Sequence, residues 1–224
     1  MNAYSSLRGL VVACALASAS FAVQAGQAVT NFSNPAPIGI PSQGSANPYP
    51  SQVAVSGLHG SIYDVKVTLN GAYHTYVSDL RVVLVAPDGR QIRLWNHQNG
   101  SADFADTTMT FSADATAWPT TVGGSVPSGT YRTTDAAPID LSLFRGAAEY
   151  ANGNWSLLIN DDYALDQGQI ARGWTLSFTS DVFTTCAAEG YTGNKLQMCK
   201  SICESNNSGA TLNSLVRAYT LLYR

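Results

Sequence analysis

Stretches in which apolar and polar residues alternate run through much of the chain, and this period of two is typical of half-buried β-strands. The first clear stretch covers Tyr63 to Leu69, and Asn70-Gly71 after it predicts a turn. Further strands are predicted around three sets of apolar residues: Met109 and Phe111; Trp155, Leu157 and Ile159; Trp174, Leu176 and Phe178. Gly, Pro, Asn and Asp separate these short strands. The pattern therefore predicts an antiparallel β-sandwich or barrel.

The segment Leu80–Val85 is apolar on both faces, which predicts a strand in the middle of a sheet. Pro87-Asp88-Gly89 has the residue types of a tight turn, so a hairpin to Ile92–Trp95 is expected. Residues 113–139 are rich in Thr, Gly, Ser and Pro and predict a long loop with one short strand at most.

From Cys186 onward the apolar period becomes helical. Leu196, Cys199 and Cys203 fall on one helical face, and a second apolar face runs from Leu212 to Leu222. We expect a short helical hairpin joined near residues 206–209.

The first 25 residues predict a signal peptide. Arg8 precedes an apolar run from Gly9 to Val23, and small residues end the segment at Ala25. The run is shorter than the ~20 apolar residues that a spanning helix needs. A lipoprotein-type cleavage before Cys14 is the weaker alternative, because few apolar residues precede it. We expect a secreted or periplasmic bacterial protein with no membrane anchor after cleavage.

The composition and length of the chain exclude some classes of function and some domain arrangements. Charged residues make up 12% of the chain and the net charge is −3. Such a chain has no basic surface to neutralise phosphates, so nucleic acid is not expected as a partner. The length allows one sandwich and a small appendage.

Several ordered motifs resemble one known family. They are PYPSQVAVSGLHGSIYDV, DVKVTLNGAYHTYVSDLRVVLVAPDGR, SGTYRTTD and NGNWSLLINDDYALDQGQIARGWTLSF. Together they resemble the P domain, also called the P/Homo B domain, over residues 28–181. In that family the module follows a subtilisin-like serine protease domain, as in kexin and the proprotein convertases, and helps it fold and stay stable.

The resemblance implies an all-β, jelly-roll-like sandwich of the galactose-binding type. It also implies a module that binds or stabilises a subtilisin-like protease or another exported protein, here expected without its own catalytic domain. Two alternatives stay open: an accessory part of a serine-type endopeptidase, and a module that binds carbohydrate or a cell surface.

The tail, residues 182–224, resembles a small cysteine-bearing tail of secreted bacterial proteins. Removal of Cys14 with the signal peptide leaves three cysteines, an odd number for an oxidising compartment. We expect Cys186 to pair with Cys199 or with Cys203. The remaining thiol would then be free to join a second chain in a dimer.

The histidines offer no recognisable catalytic triad. His59-Gly60-Ser61 superficially resembles the histidine motif of subtilisins, but no nucleophile motif follows, and we assign His59 to a turn. His74 and Asp79 match the histidine and acidic positions of the P-domain motif. We expect a structural hydrogen bond from His74, with a general base as the less favoured reading.

Acidic residues near two of the motifs predict a calcium site. Hard cations take several carboxylate and carbonyl oxygens from one loop. The predicted ligands are Asp161, Asp162 and Asp166, completed by Asp79 and Asp103, with Asp106 as a further option. The alternative is a loop of Asx-turns without metal. No His/Cys spacing indicates zinc.

The tryptophans divide into two groups. Trp155 and Trp174 are in phase with the apolar residues of their strands and are expected in the core. Trp118 lies beside Pro119 in the predicted long loop and is the candidate platform for a carbohydrate ligand.

Overall fold

The computed structural model describes residues 27–134, 140–181 and 192–203, together with positions 214, 217, 218, 221 and 222. The strands run in chain order as β1 (Gln27–Asn34), β2 (Ile38–Ile40), β3 (Gly44–Ser45), β4 (Ser51–Val55), β5 (His59–His74), β6 (Leu80–Val85), β7 (Gln91–Asn96), β8 (Phe104–Ser112), β9 (Gly129–Tyr131), β10 (Gly146–Ala147), β11 (Gly153–Asp161), β12 (Gly168–Ile170) and β13 (Trp174–Asp181). One α-helix, α1, spans Gly193–Cys203, and short 3₁₀ helices cover Val77–Asp79, Leu141–Phe144 and Ala148–Tyr150.

The strands form two sheets, and this confirms the predicted all-β sandwich. The eight-stranded sheet has the order β1-β13-β5-β12-β2, with β8 and β10 also paired to β5 and β9 paired to β8. The five-stranded sheet has the order β3-β11-β6-β7, with β4 also paired to β11. All pairs between named strands are antiparallel except β8 with β9. The long strand β5 is the centre of the larger sheet.

Aromatic side chains fill the space between the sheets, as the alternation predicted. Trp155 and Trp174 are fully buried, and the Trp155 ring makes an edge contact with Phe178 at 5.5 Å between ring centroids. Each indole N–H has a partner: Trp155 donates to the Ala151 carbonyl and Trp174 to the Ser51 hydroxyl. Burying a ring of this size stabilises a fold by roughly 2 to 3 kcal/mol, provided its polar atom is satisfied.

The predicted hairpin and its central strand are also confirmed. β6 lies between β11 and β7, and the chain turns between β6 and β7 at Pro87-Asp88, where the Gly89 N–H donates to the Ala86 carbonyl. Gly89 has a φ of 86°, a conformation that costs glycine little. The stretch from residue 113 to 134 is mainly loop and contains β9, in agreement with the prediction for its described part.

Three details of β5 differ from the sequence prediction. His59 was assigned to a turn, but the strand begins at this residue, which pairs with Asp181 of β13. Tyr63 was expected to share the buried face of Val65, but it is 42% exposed. The register between β5 and β13 shifts here, because Thr179 pairs with Asp64 and Ser180 pairs with Ile62. This β-bulge leaves Tyr63 without an opposite residue and turns it outward.

The predicted turn at Asn70-Gly71 is wrong. The strand continues to His74, and these two residues form a second irregularity in its pairing with β8. The carbonyls of Asn70 and Gly71 accept hydrogen bonds from the N–H groups of Arg172 and Ala171, so the loop before β13 satisfies them. The polar Asn-Gly pair thus bends a strand that does not end there.

Part of the predicted tail is described. The first predicted helix corresponds to α1, and the described positions between 214 and 222 are all helical. Cys199 lies on α1, is largely buried and takes part in a disulfide. Cys186 and the side chain of Cys203 lie outside the described part, so the expected pairing remains a prediction. Residues 1–25, the predicted signal peptide, lie outside it as well.

In the part of the chain that the structure describes, no helix has both the length and the apolar character required to cross a membrane.

Candidate functional site

A polar cleft lies at the end of the sandwich where β5 leads into the Val77–Asp79 3₁₀ helix and β11 leads into the loop before β12. Its volume is about 480 Å³, and it opens to solvent. We call it the acidic cleft, and it is lined by Tyr76, Ser78, Asp79, His97, Tyr163, Ala164 and Asp166.

Beneath the cleft, His74 and Asp161 form a buried pair. Both side chains are inaccessible to solvent, and His74 Nε2 lies 3.1 Å from Asp161 Oδ2. A carboxylate oxygen can only accept, so His74 donates from Nε2. Its Nδ1 lies 3.0 Å from the Tyr76 carbonyl oxygen and 3.2 Å from the Tyr76 nitrogen, and the Tyr163 N–H donates to Asp161 Oδ1. The pair joins the end of β5 to the end of β11.

This geometry supports the structural role that was expected for His74. Both ring nitrogens have partners, and no serine, threonine or cysteine side chain in the described residues is hydrogen bonded to the ring. A general base must reach the proton that it removes, whereas this imidazole is sealed inside the protein.

Asp79 forms the floor of the acidic cleft. The residue is only 6% exposed, and its carboxylate has neither a hydrogen-bond donor nor an ion-pair partner among the described residues. Its oxygens are not fully buried, so they keep contact with the solvent of the cleft. Burial raises the pKa of Asp79, and the nearby carboxylates of Asp161 and Asp166 raise that pKa further. Its backbone carbonyl accepts from the Asp162 N–H at 2.9 Å, which fixes the two segments together.

Asp162 is held by two basic side chains at the edge of the cleft. Arg81 donates to both carboxylate oxygens, from Nε at 2.9 Å and from Nη2 at 3.1 Å. His97 Nε2 lies 3.2 Å from the same carboxylate, and His97 Nδ1 donates to the Ser78 carbonyl. The hydrogen bond from Arg81 lowers the pKa of Asp162, with a further contribution from His97.

The loop between β11 and β12 forms the outer wall. The Tyr163 ring makes an edge contact with His97, and Asp166 accepts a hydrogen bond from the Thr75 hydroxyl at 2.7 Å. Leu165 between them is 93% exposed and has a φ of 99°. A positive φ is costly for leucine, so the fixed residues on either side impose the conformation of this loop.

The structure brings four of the five predicted calcium ligands to this end of the sandwich. Three of their carboxylates have internal partners: Asp161 with His74, Asp162 with Arg81, and Asp166 with Thr75. Asp103 lies on a neighbouring segment bridged to Ser125, and Asp106 pairs with Arg172. Within the described ranges, no group of three or more His, Cys, Asp or Glu is arranged to hold a metal. Calcium binding itself is not tested by this geometry and stays a prediction.

A comparison with protein families shows which family this chain belongs to. The family model for the proprotein convertase P-domain matches residues 62–178, just over half of the chain. The chain belongs to the P-domain family. This match includes most of β5, the Val77–Asp79 3₁₀ helix and β11, which build the acidic cleft of this P domain.

Two similar curated proteins are enzymes by name, and one of them is a metalloprotease by name. The P domain is 32% identical over 149 residues to the leupeptin-inactivating enzyme 1 of Streptomyces exfoliatus, an alignment that covers 66% of this chain and 26% of that protein. It is also 32% identical over 147 residues to the transglutaminase-activating metalloprotease of Streptomyces mobaraensis, covering 66% of this chain and 15% of that protein. The chain thus spans about a quarter or less of the length of these relatives.

Solved structures with a similar region include the serine protease of Aeromonas sobria, alone and in complex with a chaperone. The complex aligns with a TM-score of 0.34 and 16% identity, over 70% of this chain and 27% of that chain. The protease alone aligns with a TM-score of 0.32 and 14% identity. Similarity at this level supports no inference about function.

Trp118, the predicted platform for a sugar, is 45% exposed and lies outside the acidic cleft of the P domain. The guanidinium carbon of Arg132 lies 4.5 Å from its ring centroid, so an internal cation–π contact uses part of the ring. Glycan binding there is still a prediction.

Sequence reasoning missed the aromatic wall of the cleft. Tyr76 and Tyr163 lie in the recognised motifs, but nothing in their spacing shows that they face one cleft. His97 carried no signal beyond its residue type. Asp79 was found only through its place in the family motif, because its burial cannot be read from the sequence.

Proposed function

We propose that this secreted P domain is a binding and stabilising module for a protease catalytic domain. The observation that carries the proposal is the family match over residues 62–178, together with the similarity to a protein that is a metalloprotease by name. The proposal transfers a general role, because the aligned region is a minor part of each relative.

The contacts of the described residues support recognition more than catalysis. The buried His74–Asp161 pair has no hydroxyl or thiol partner, and Asp79 lies beneath an open cleft. A rigid sandwich that presents polar and aromatic groups from well-fixed loops is a suitable scaffold for binding another protein.

A segment replacement tests this role. In the Streptomyces mobaraensis metalloprotease, the aligned segment is deleted or replaced by residues 27–181 of this chain. If the domain stabilises a protease, the deletion lowers the yield of secreted active enzyme and the replacement restores it. Loss on deletion without restoration by the replacement would overturn the proposal for this chain.

An accessory relation to serine endopeptidases makes a separate prediction. The purified chain should not react with a serine-directed fluorophosphonate probe, since the catalytic machinery would belong to the partner. Labelling of the chain itself, lost when a single serine is replaced, would show intrinsic activity.

A further inference from the structure

The acidic cleft contains a buried carboxylate that the described part of the protein leaves without a partner. Asp79 is more than nine-tenths buried and lines the cleft. Buried carboxylates are almost always paired, because an isolated one loses hydration without compensation. The cleft itself is the open side of Asp79, so a ligand in the cleft is placed to supply the missing partner.

The basic side chains that line or border the cleft already have hydrogen-bond or ion-pair partners. Arg81 donates two hydrogen bonds to Asp162, and His97 contacts Asp162 and the Ser78 carbonyl. Asp166 receives one neutral hydroxyl donor, from Thr75. Asp79 and Asp166 therefore give the cleft a negative charge that no cation in the described residues pairs with.

The side walls of the cleft are aromatic. Tyr76 and Tyr163 line it and are both partly exposed. Aromatic faces attract organic cations, and they favour a flat guanidinium more than a hydrated ammonium.

Two features distinguish this cleft from a metal cage. A calcium ion takes six to eight oxygens, whereas the carboxylates of Asp161 and Asp162 are turned toward His74 and Arg81. The cleft volume of about 480 Å³ is also far larger than a bare ion occupies. Both features suit a side chain that enters from outside.

We propose that the acidic cleft binds one arginine side chain of the partner protein, with Asp79 and Asp166 contacting the guanidinium and Tyr76 and Tyr163 flanking it. This rests on the proposed function, because it specifies what the docked partner presents. Two carboxylates around one guanidinium match its fork of N–H donors.

The test uses the full chain and a small probe, with no protease present. Backbone amide NMR signals are followed while Nα-acetylarginine methylamide is added, with the citrulline analogue as the neutral control of equal shape. We expect saturable shifts at residues 76–79 and 163–166 with roughly millimolar affinity, as befits a single side chain. The citrulline analogue should give no such shifts, and the lysine analogue should bind more weakly.

Variants assign the contact. Asp79→Asn should weaken arginine binding by at least about tenfold, and Asp166→Asn should weaken it in the same direction. Tyr163→Ala should weaken it by about two- to fivefold. Asp114→Asn is the matched control, because Asp114 pairs with Arg145 near the opposite end of β5 and carries the same charge. That variant should bind within about twofold of the original chain.

Three results would overturn the proposal. The first is equal shifts with the arginine and citrulline analogues. The second is an unchanged affinity for the arginine probe in Asp166→Asn and Tyr163→Ala. These two variants change residues that are not buried, so they remain informative even if Asp79→Asn does not fold. The third is saturation of the same residues by calcium chloride but not by the arginine probe. Since no protease is involved, a failure here leaves the docking role standing, and a failed segment replacement leaves this binding site standing.

Discussion

His74 shows that a residue type associated with catalysis can be used entirely for structure. Its ring nitrogens contact Asp161 and Tyr76, and its side chain is inaccessible. The sequence predicts a structural hydrogen bond from His74 but not its partner, because His74 and Asp161 are 87 positions apart. The actual partner, Asp161, had been predicted as a calcium ligand.

Replacing His74 should therefore reduce stability strongly. His74→Ala leaves the Asp161 carboxylate buried without its donor and opens a cavity, so we expect a loss of about 3 kcal/mol in the free energy of unfolding. Urea denaturation followed by tryptophan fluorescence measures it. His97→Ala is the control, since its half-exposed ring should cost about 1 kcal/mol or less. Equal losses for both variants would contradict a special role for the buried pair.

The ion pair between Asp162 and Arg81 should make the stability of the fold depend on pH. The pKa of Asp162 in the folded protein is lowered from the ordinary value of 3.8 for an aspartate, mainly by the hydrogen bond from Arg81. A carboxylate with a lowered folded pKa stabilises the fold above its unfolded pKa, and this contribution disappears as the pH falls through the folded value. Arg81→Ala should thus be less stable than the original chain at neutral pH, with the difference shrinking below 3.8.

Thermal melts of both proteins between neutral and acidic pH check this sign. A difference that is constant across the range, or that grows in acid, would show that Arg81 stabilises the fold by packing rather than through Asp162.

Among the elements, strands with large alternating apolar residues could be predicted from sequence, and short or polar strands could not. β11 and β13 each carry one tryptophan followed by large apolar residues at alternate positions, so their period is visible without knowing the partner strand. β2, β3, β10 and β12 have two or three residues each, which is too short for any period to appear. They exist because longer strands offer them backbone hydrogen bonds.

The bulges in β5 were unpredictable for a related reason. Asn70-Gly71 has the composition of a turn, and Tyr63 continues the alternation of Val65 and Val67. Whether such residues form a turn or a bulge depends on the register of β13 and β8, which lie far away in sequence. The acidic cleft depends on the same long-range pairing. Its acidic residues could therefore be identified one by one from the sequence, but the shape of the cleft could not be predicted.

Gly173 provides a test at the scale of the element. It has a φ of 63°, and an added Cβ would lie 1.9 Å from the carbonyl oxygen of Asn34. Gly173→Ala must therefore separate the start of β13 from the end of β1, and we expect a loss of about 3 kcal/mol or more. Gly57→Ala is matched, since Gly57 has a φ of 77° with no atom within 4 Å, and should cost only about 1 to 2 kcal/mol. Urea denaturation compares them, and equal costs would refute the close approach.

At the scale of the whole molecule, the family and the β-sandwich could be predicted because several family motifs occur in the expected order along the chain. The residues that would bind calcium could not be predicted in this way. The calcium prediction was based on acidic composition, and composition does not show which carboxylates are already hydrogen bonded. Four predicted ligands do lie at one end of the molecule, but the structure connects three of them to internal donors.

A chelator experiment decides whether calcium binds anywhere on the chain. An ion held only by the native state raises its melting temperature, so a calcium-bound protein should melt at a lower temperature after treatment with EGTA and recover when calcium is added back. Magnesium addition serves as the control for ionic strength. An identical melting temperature with and without EGTA would contradict the predicted calcium site.

The pairing of β1 with β13 has a mechanical consequence. Gln27 lies opposite Asp181, so the first and last strands of the sandwich run antiparallel with their outer ends side by side. Suppose that a force pulls the chain before Gln27 away from the chain after Asp181. The hydrogen bonds between β1 and β13 then break one after another, starting at Gln27, because the force acts on one pair at a time. A neighbour attached at both points would therefore peel β1 from the sheet under a small force, while the Trp155 and Trp174 layer behind it stays intact.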